Sequence, residues 1–172
     1  LTIIVHGRQT HGAVPWKGVD PIVVSSQIIS ALQTITARQT DILLAPAIVT
    51  IGTINGGIRF NIIPDSVVMS GTVRTFDAAM RKDIAIRITR TAEKIAEASG
   101  ATAIVTLEGA GNNLVFNDPA LVERMSPTLR RVSGGNVNPN AMWMPSEDFS
   151  AYQTKAPGVF VLLGINKPGV SV

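Results

Sequence analysis

The stretch that decides the fold is Ser66-Val67-Val68-Met69-Ser70-Gly71-Thr72-Val73-Arg74-Thr75-Phe76-Asp77. Its side chains alternate between two faces, with Val67, Met69, Gly71, Val73 and Thr75 on the same face. This period of two predicts a β-strand. Asp77 is a residue type that caps helices, and Gly100 is of the type that ends them. Between them an apolar stripe recurs at helical spacing: Met80, Ile84, Ile88, Ala92 and Ile95.

The segments on either side complete a β-α-β-β-α-β order. Asp20 and Pro21 are the N-cap and first-turn residues of a helix with an apolar stripe of its own, formed by Val24, Ile28, Ala31, Leu32 and Ile35. The predicted elements are a strand at 1–5, a helix at 21–38, strands at 47–54 and 66–76, a helix at 78–99 and a strand at 101–107. This order predicts a four-stranded antiparallel sheet with two helices on one face, the ferredoxin-like sandwich.

The pattern breaks around Gly109 to Asn113, and a different organisation follows. We predict a helix from Asp118-Pro119 to about Val132 and a small helix capped near Ser146. The continuous apolar run Val159 to Leu163 predicts a strand buried on both faces. Such a strand needs partners, so residues 113–172 are expected to be an incomplete α/β domain, and the chain is expected to be a piece of a longer polypeptide.

Composition excludes several classes of protein. The 172 residues are 45% hydrophobic and 16% charged, with a net charge of +3, and the mean hydropathy is +0.28. Apolar runs are too short to predict a membrane span. Basic residues are scattered and aromatics make up only 5%, which argues against a nucleic-acid surface and against an RNA-binding sandwich. The absence of cysteine excludes disulfides and thiolate metal sites in this sequence.

One loop concentrates residues of functional interest: Gly7-Arg8-Gln9-Thr10-His11-Gly12-Ala13-Val14-Pro15-Trp16-Lys17-Gly18-Val19-Asp20-Pro21. It holds one of the two histidines, between a predicted strand and a predicted helix. Catalytic residues often lie on such connections. The other histidine, His6, ends a strand and is interpreted as structural. From these residues alone, His11 is either a functional group or a loop histidine with a structural hydrogen bond.

Four segments together resemble one family: Gly7 to Pro21, Phe60-Asn61-Ile62-Ile63-Pro64-Asp65, Gly71 to Asp77, and Ser146-Glu147-Asp148-Phe149. They are similar to the aminoacylase/carboxypeptidase-type metallopeptidases (M20), in the amidohydrolase branch of hippurate and indole-acetyl-amino-acid hydrolases. The resemblance implies a lid and dimerisation domain at 1–112 and part of the catalytic domain at 113–172. It implies a homodimer that hydrolyses N-acyl amino acids or small peptides.

The resemblance also implies a role for individual residues. His11 matches the lid histidine that reaches the partner subunit's active site. Asn61 matches an asparagine that helps to bind substrate, and Arg74 matches an arginine that can bind the carboxylate of the substrate. The alternative for Asn61 is a turn asparagine, and the alternative for Arg74 is a solvated or interface arginine. Glu147 and Asp148 match a motif near the catalytic pocket, or they simply cap the following helix. After Pro15 the family more commonly has a histidine, where this sequence has Trp16, and this difference indicates a more apolar surface at that position.

The resemblance implies a divalent metal, two ions of Zn, Mn, Co or Ni. Its ligands are expected largely outside this chain, which is therefore expected to be inactive alone. The alternative interpretation is a non-catalytic ferredoxin-like module for self-association, which the predicted exposed sheet edges favour. We expect no nucleic acid and no membrane among the partners, and a cytoplasmic location.

Overall fold

The computed structural model describes residues 1–107 and 113–165, which fall into two compact units, Leu1–Gly109 and Ala110–Val172. Most of the predicted break at Gly109 to Asn113, and with it the predicted 112/113 domain boundary, lies outside the described residues. Residues 166–172 lie outside them as well.

The first unit is a four-stranded antiparallel sheet with two long helices. Its strands stand in the order β3-β5-β1-β6, each antiparallel to its neighbour. A second, two-stranded sheet joins β2 to β4. The elements are β1 Thr2–His6, β2 Thr10–His11, α1 Pro21–Arg38, β3 Ala47–Gly56, β4 Ile62–Ile63, β5 Ser66–Thr75, α2 Ala78–Ala98 and β6 Thr102–Thr106. The predicted ferredoxin-like sandwich is confirmed, while β2 and β4 are additions to it.

Both long helices begin at the predicted caps. One carboxylate oxygen of Asp20 accepts from the main-chain nitrogens of Ile22 at 2.9 Å and Val23 at 3.3 Å. In α2, Asp77 accepts from the nitrogen of Met80 at 2.6 Å. These bonds satisfy main-chain donors that have no partner within the first turn. Gly100 follows α2 with a φ of +74°, the left-handed conformation that glycine adopts most easily.

The hydrophobic core lies between the two helices and one face of the sheet. From the helices it takes the predicted stripes; from the strands it takes alternate residues of β1 and β5. Its fully buried large side chains include Ile3, Val5, Val67, Met69, Ile28, Leu32, Ile35, Ile84 and Ile88. Burying one such side chain is worth about 1.5–3 kcal/mol. Ile95 of the predicted α2 stripe is partly buried and packs against this core, and Ala96 beside it is fully buried.

The opposite face of the sheet carries no helix in this unit. A bulge between Ile51 and Thr53 shifts the register of β3 against β5, and the residues from Gly52 to Gly56 are exposed. Hydroxyl side chains form a continuous row across this face: Thr53 stands opposite Ser70, Ser70 opposite Thr2, and Thr2 opposite Thr106. We call this surface the open face.

The described part of the second unit contains two helices, α3 Pro119–Val132 and α4 Phe149–Gln153. The first begins at the predicted cap, where Asp118 accepts from the nitrogen of Leu121 at 2.9 Å. The small helix begins later than the predicted cap near Ser146, with Asp148 at its N-cap position. Unlike the helices of the first unit, α3 has no buried residue.

The predicted buried strand at Val159 to Leu163 is wrong. These residues are not in a strand, and Leu163 is 84% exposed. A strand requires a neighbour for its main-chain groups, and no described segment supplies one here. Instead the Asn117 side chain takes that place: its Oδ1 accepts from the Phe160 nitrogen at 2.7 Å, and its Nδ2 donates to the Phe160 oxygen at 3.0 Å.

The two longest described helices were compared with the length and apolar character of a membrane-spanning helix. They are the 18-residue α1 and the 21-residue α2. Neither of them, nor any other helix in the described ranges, combines the length and the apolar character that crossing a bilayer requires.

Candidate functional site

The loop that carries His11 is closed at its base. Arg8 and Val19 exchange two main-chain hydrogen bonds, of 2.9 and 3.0 Å. Gly18 makes the closure possible, because a β-carbon there would stand 2.4 Å from Cγ2 of Thr10 and 2.6 Å from the Arg8 oxygen. The loop is also tied to the sheet, since the Gly7 nitrogen donates to the Asp65 oxygen at 2.8 Å. Residues 8–19 therefore form a compact loop with a fixed base.

The structure brings His11 and Asn61 together. His11 lies in β2, opposite Ile62 of β4, and the nitrogen of the next residue, Gly12, donates to the Asn61 oxygen at 2.8 Å. Asn61 lies in a turn that is closed by a 3.3 Å bond from the Ile62 nitrogen to the Arg59 oxygen. Both His11 and Asn61 are exposed. Two predicted site residues thus lie beside each other, His11 in the small sheet and Asn61 in the turn that leads into it.

The imidazole of His11 bonds to its own loop. Its Nδ1 accepts from the main-chain nitrogen of Ala13 at 3.1 Å. The His11 carbonyl oxygen accepts from the Val14 nitrogen at 2.9 Å, which forms a turn directly after the histidine. The turn therefore holds the ring through Nδ1, and Nε2 is the nitrogen that remains for a ligand.

The surroundings of His11 are cationic and apolar. The segments 7–19 and 57–64 contain Arg8, Lys17 and Arg59, and the acidic residues that adjoin them are Asp20 at the start of α1 and Asp65 at the base of the loop. Trp16 is 74% exposed, and Phe60, the neighbour of Asn61, is completely exposed. A surface of this composition suits a ligand that carries both a negative charge and an apolar group.

Arg74 is not close to this pair. It lies near the far end of β5, opposite Ile48 of β3, on the open face of the sheet. The chain enters β5 from β4 at Ser66, eight residues before Arg74. At about 3.3 Å per residue the two ends of that segment are about 25 Å apart. Within a single chain, Arg74 therefore belongs to a different surface from His11 and Asn61.

Glu147 has a structural partner in the second unit. Its Oε1 accepts from the nitrogens of Asp148 at 2.9 Å and Phe149 at 3.4 Å, so it holds the start of α4. Asp148 occupies the N-cap position and makes no side-chain cap bond. For Glu147, the helix-capping alternative thus has a direct observation behind it.

The described residues do not form a metal site. Among residues 1–107 and 113–165, no group of three or more histidine, cysteine, aspartate or glutamate side chains could hold an ion. Because His11 bonds to a main-chain nitrogen and lies in an acid-free loop, its surroundings do not fit a metal either. We therefore derive no step of chemistry through a metal in this chain.

These features define an antiparallel α/β sandwich that presents a histidine loop. The chain belongs to the peptidase dimerisation domain family of the M20 peptidases, whose family model matches residues 1–100. The predicted resemblance is thereby confirmed.

Proteins of known activity are similar to nearly the whole chain. It is 38% identical to an N-acetyl-L-cysteine deacetylase of Bacillus subtilis over 160 residues, which are 93% of this chain and 38% of that protein. It is 32% identical to an IAA-amino acid hydrolase of Arabidopsis thaliana, over 94% of this chain and 37% of that protein. The chain thus spans about two fifths of the length of these relatives.

Solved structures share the fold. A dinuclear metal binding peptidase of the M20 family from Bacillus subtilis has a TM-score of 0.64 and 30% identity, over 91% of this chain and 38% of that one. A tripeptidase from Staphylococcus aureus has a TM-score of 0.72 and 25% identity, over 89% of this chain and 39% of that one. The family thus contains dinuclear metal binding, whereas the described part of this chain has no metal site.

Sequence reasoning missed one group in the site, the main-chain nitrogen of Ala13. An N–H group is present in every residue except proline, so an alanine gives no functional signal. The two-stranded pairing of β2 and β4 was also missed, because two residues are too few to show an alternation.

Proposed function

We propose that this chain is the lid and dimerisation part of a metal-dependent amidohydrolase that cleaves N-acyl amino acids or small peptides. In this proposal residues 1–112 are the lid, and residues 113–172 belong to the catalytic domain. The observation that carries it is the exposed His11, held next to Asn61 by the pairing of β2 with β4. The activities named for the deacetylase and hydrolase relatives support the choice of reaction.

The proposed role of His11 is to stabilise charge on the substrate. During amide hydrolysis negative charge develops on the carbonyl oxygen, and an N–H donor aimed at that atom lowers the barrier. The side-chain amide of Asn61 both donates and accepts, which suits a peptide-like ligand. Arg8, Lys17 and Arg59 add positive charge around the loop, which favours the free carboxylate of an N-acyl amino acid.

The separation of Arg74 from His11 supports an active site built from two subunits. An N-acyl amino acid is two to three residues long, or about 10 Å, whereas the β5 segment between the two surfaces spans about 25 Å. This main-chain separation is more than twice the length of such a substrate, which favours side chains from two different lids at one substrate. We therefore propose that His11 and Asn61 act on the active site of the partner subunit, and that Arg74 binds the substrate carboxylate in the active site of its own subunit.

The two histidines provide a direct test in the longer protein that contains this chain. His11→Ala should lower kcat for an N-acyl amino acid about 10²–10³-fold, the usual effect of losing one donor to the developing oxyanion. KM should change much less, because the interaction belongs to the transition state. His6→Ala is the matched control, since His6 is an exposed strand-end histidine of the same domain. An unchanged kcat in His11→Ala would overturn the proposal.

We further propose that the homodimer forms through the edge of β3. This edge strand is ten residues long and contains neither a charged residue nor a proline, the usual protections of a free edge. Just before it lie three consecutive exposed apolar residues, Ile42, Leu43 and Leu44, of which Leu43 is 94% exposed. The other edge strand, β6, has only five residues. The family description, a dimerisation domain, supports a second copy as the partner.

Matched pairs of threonines on the two edges test this interface. Thr50→Lys with Thr53→Lys places two charges on exposed positions of β3, and Thr102→Lys with Thr106→Lys does the same on β6. We expect the β3 pair to raise the dimer dissociation constant at least about tenfold, because like charges then face each other across the two-fold axis. The β6 pair should leave it unchanged in sedimentation. The opposite result would assign the interface to β6.

The second candidate function is self-association without catalysis. The uncharged β3 edge and the exposed 42–44 turn favour it, since they require no active site. The two functions differ in one outcome. If the module only associates, the His11→Ala substitution leaves both the dimerisation and the amide-hydrolysing activity of the longer protein unchanged.

We propose that two divalent ions, of Zn, Mn, Co or Ni, serve the longer protein, through ligands largely outside this chain. The dinuclear M20 peptidase among the similar structures supports the number of ions. We also propose a cytoplasmic location. Chelation of the longer protein followed by addition of each metal in turn tests the first proposal, and activity that survives chelation would contradict it.

A further inference from the structure

We infer that the main-chain N–H of Ala13 fixes the tautomer of His11, so that the neutral ring carries its proton on Nε2 and acts through that atom as a donor. The inference starts from one contact, the 3.1 Å hydrogen bond in which the Ala13 nitrogen donates to Nδ1 of His11. An amide nitrogen can only donate, so Nδ1 must be the acceptor and cannot carry a proton. In a neutral imidazole the proton then resides on Nε2.

The loop makes this contact a fixed feature. The Val14 nitrogen donates to the His11 oxygen at 2.9 Å, and the Lys17 nitrogen donates to the Val14 oxygen at 3.0 Å. Two consecutive turns therefore hold the backbone of Ala13 relative to His11. The paired base of the loop, at Arg8 and Val19, holds the turns in place. Ala13 is thus a positioning residue that acts through its main chain.

The tautomer determines which hydrogen-bonding groups His11 can bind. A neutral histidine with Nδ1 occupied has no acceptor nitrogen left, so it cannot remove a proton from water or from substrate. It can donate one hydrogen bond from Nε2, which matches an amide carbonyl oxygen and the oxyanion that develops from it. This chemical consequence rests on the proposed function, whereas the tautomer itself does not.

Nitrogen NMR of the 172-residue chain tests the tautomer without any activity. The chain has two histidines, and a His6→Gln variant assigns them. With ¹⁵N-labelled histidine, we expect Nδ1 of His11 to resonate as an unprotonated nitrogen and Nε2 as a protonated one in spectra of the neutral ring. A scalar coupling across the hydrogen bond should join the Ala13 amide proton to Nδ1. A protonated Nδ1 in this spectrum would overturn the inference.

Two variants of Ala13 separate the N–H group from the side chain. Ala13→Gly keeps the donor and should leave the His11 nitrogen shifts as in the parent. Ala13→Pro removes the donor and should move both shifts toward the average of the two tautomers. Unchanged shifts in a folded Ala13→Pro chain would contradict the role of this N–H. If the proline variant does not fold, the coupling in the parent chain decides the question.

Two replacements of His11 test the working atom in the longer protein. The amide nitrogen of glutamine reaches about as far as Nε2, whereas that of asparagine reaches only as far as Nδ1. We expect His11→Gln to keep a kcat about tenfold above that of His11→Asn, with Asn near the 10²–10³-fold loss of a deleted donor. Equal or inverted values would overturn the assignment of Nε2. A parent protein that hydrolyses no amide would instead refute the proposed function and leave the NMR result standing.

Discussion

Gly12 donates its main-chain N–H to the carbonyl oxygen of Asn61 at 2.8 Å, so the histidine loop and the asparagine turn form one unit. A β-carbon on Gly12 would stand only 3.2 Å from that oxygen, which shows how closely the two segments approach. His11 and Asn61 therefore lie side by side on the same chain, and in the proposed function they come from the same subunit. Arg74, near the far end of β5, does not share this constraint.

This arrangement predicts which pairs of inactive subunits restore activity when mixed. In a heterodimer of His11→Ala with Arg74→Ala subunits of the longer protein, one of the two active sites receives an intact His11 from one chain and an intact Arg74 from the other. We expect up to half of the parent activity per heterodimer. His11→Ala mixed with Asn61→Ala is the control, because each site then lacks one of the two, and it should stay inactive. Activity in the control alone would reverse the assignment.

Gly71 is predicted to be indispensable for the pairing of β5 with β3. A β-carbon there would lie 2.0 Å from the Thr50 oxygen, a main-chain atom that cannot move without breaking the ladder. Gly71→Ala should lower the free energy of unfolding by about 3 kcal/mol or more, in the range of severe overpacking. Gly52→Ala is the control in the opposing strand, where the nearest atom would be 4.0 Å away. Urea unfolding of both variants measures the difference, and equal stabilities would contradict the steric argument.

Ser25 should be replaceable with a gain in stability. It is fully buried on the core face of α1, and its hydroxyl oxygen has no hydrogen-bond partner in the described structure. An unsatisfied buried polar group costs about 1–3 kcal/mol, so Ser25→Ala should raise the free energy of unfolding by about 1 kcal/mol. Ser26 is exposed, and its hydroxyl donates to the Val23 oxygen at 2.7 Å. Ser26→Ala should change stability by less than about 0.5 kcal/mol. A loss of stability in Ser25→Ala would indicate a bound water at this position.

Two isoleucines of α2 measure the contribution of the core. Ile88 is fully buried, whereas Ile86, half a turn away, is 58% exposed. Ile88→Ala should cost about 2–5 kcal/mol, from lost transfer energy and from the cavity left behind. Ile86→Ala should stay within about 0.5 kcal/mol, because it lies on the solvent side and alanine favours helices. Thermal unfolding of the two variants gives the comparison, and a large loss in Ile86→Ala would reveal a partner on that face.

Local sequence determined the elements of the first unit. Asp20 and Asp77 accept from main-chain nitrogens of the first turns, as their side chains allow in any sequence context, and Gly100 adopts its left-handed conformation. Alternation along β5 predicts which residues are buried because a strand has only two faces. The stripe of α2 was predicted from its spacing, while the fuller burial of Ala96 beside Ile95 depends on the orientation of the helix on the sheet.

Outside the first unit, local pattern was insufficient. The run Val159 to Leu163 has the composition of a buried strand, but no described strand pairs with it, and Val161, Leu162 and Leu163 are exposed. Hydrophobicity can favour an extended segment, while main-chain hydrogen bonds to a neighbour are what make it a strand. Glu147 shows the same limit, since its partners at the start of α4 are visible only in the folded chain.

For the proposed site, the sequence by itself predicted His11, Asn61 and Arg74 through their motifs. Only the tertiary structure decided their grouping. The pairing of β2 with β4 places His11 next to Asn61, and the length of β5 separates Arg74 from both. It also decided which nitrogen of His11 is available, because that depends on the Ala13 N–H. The physical reason is the same in each case. Residue type sets the chemistry a side chain can perform, whereas hydrogen bonds between distant segments set which groups meet.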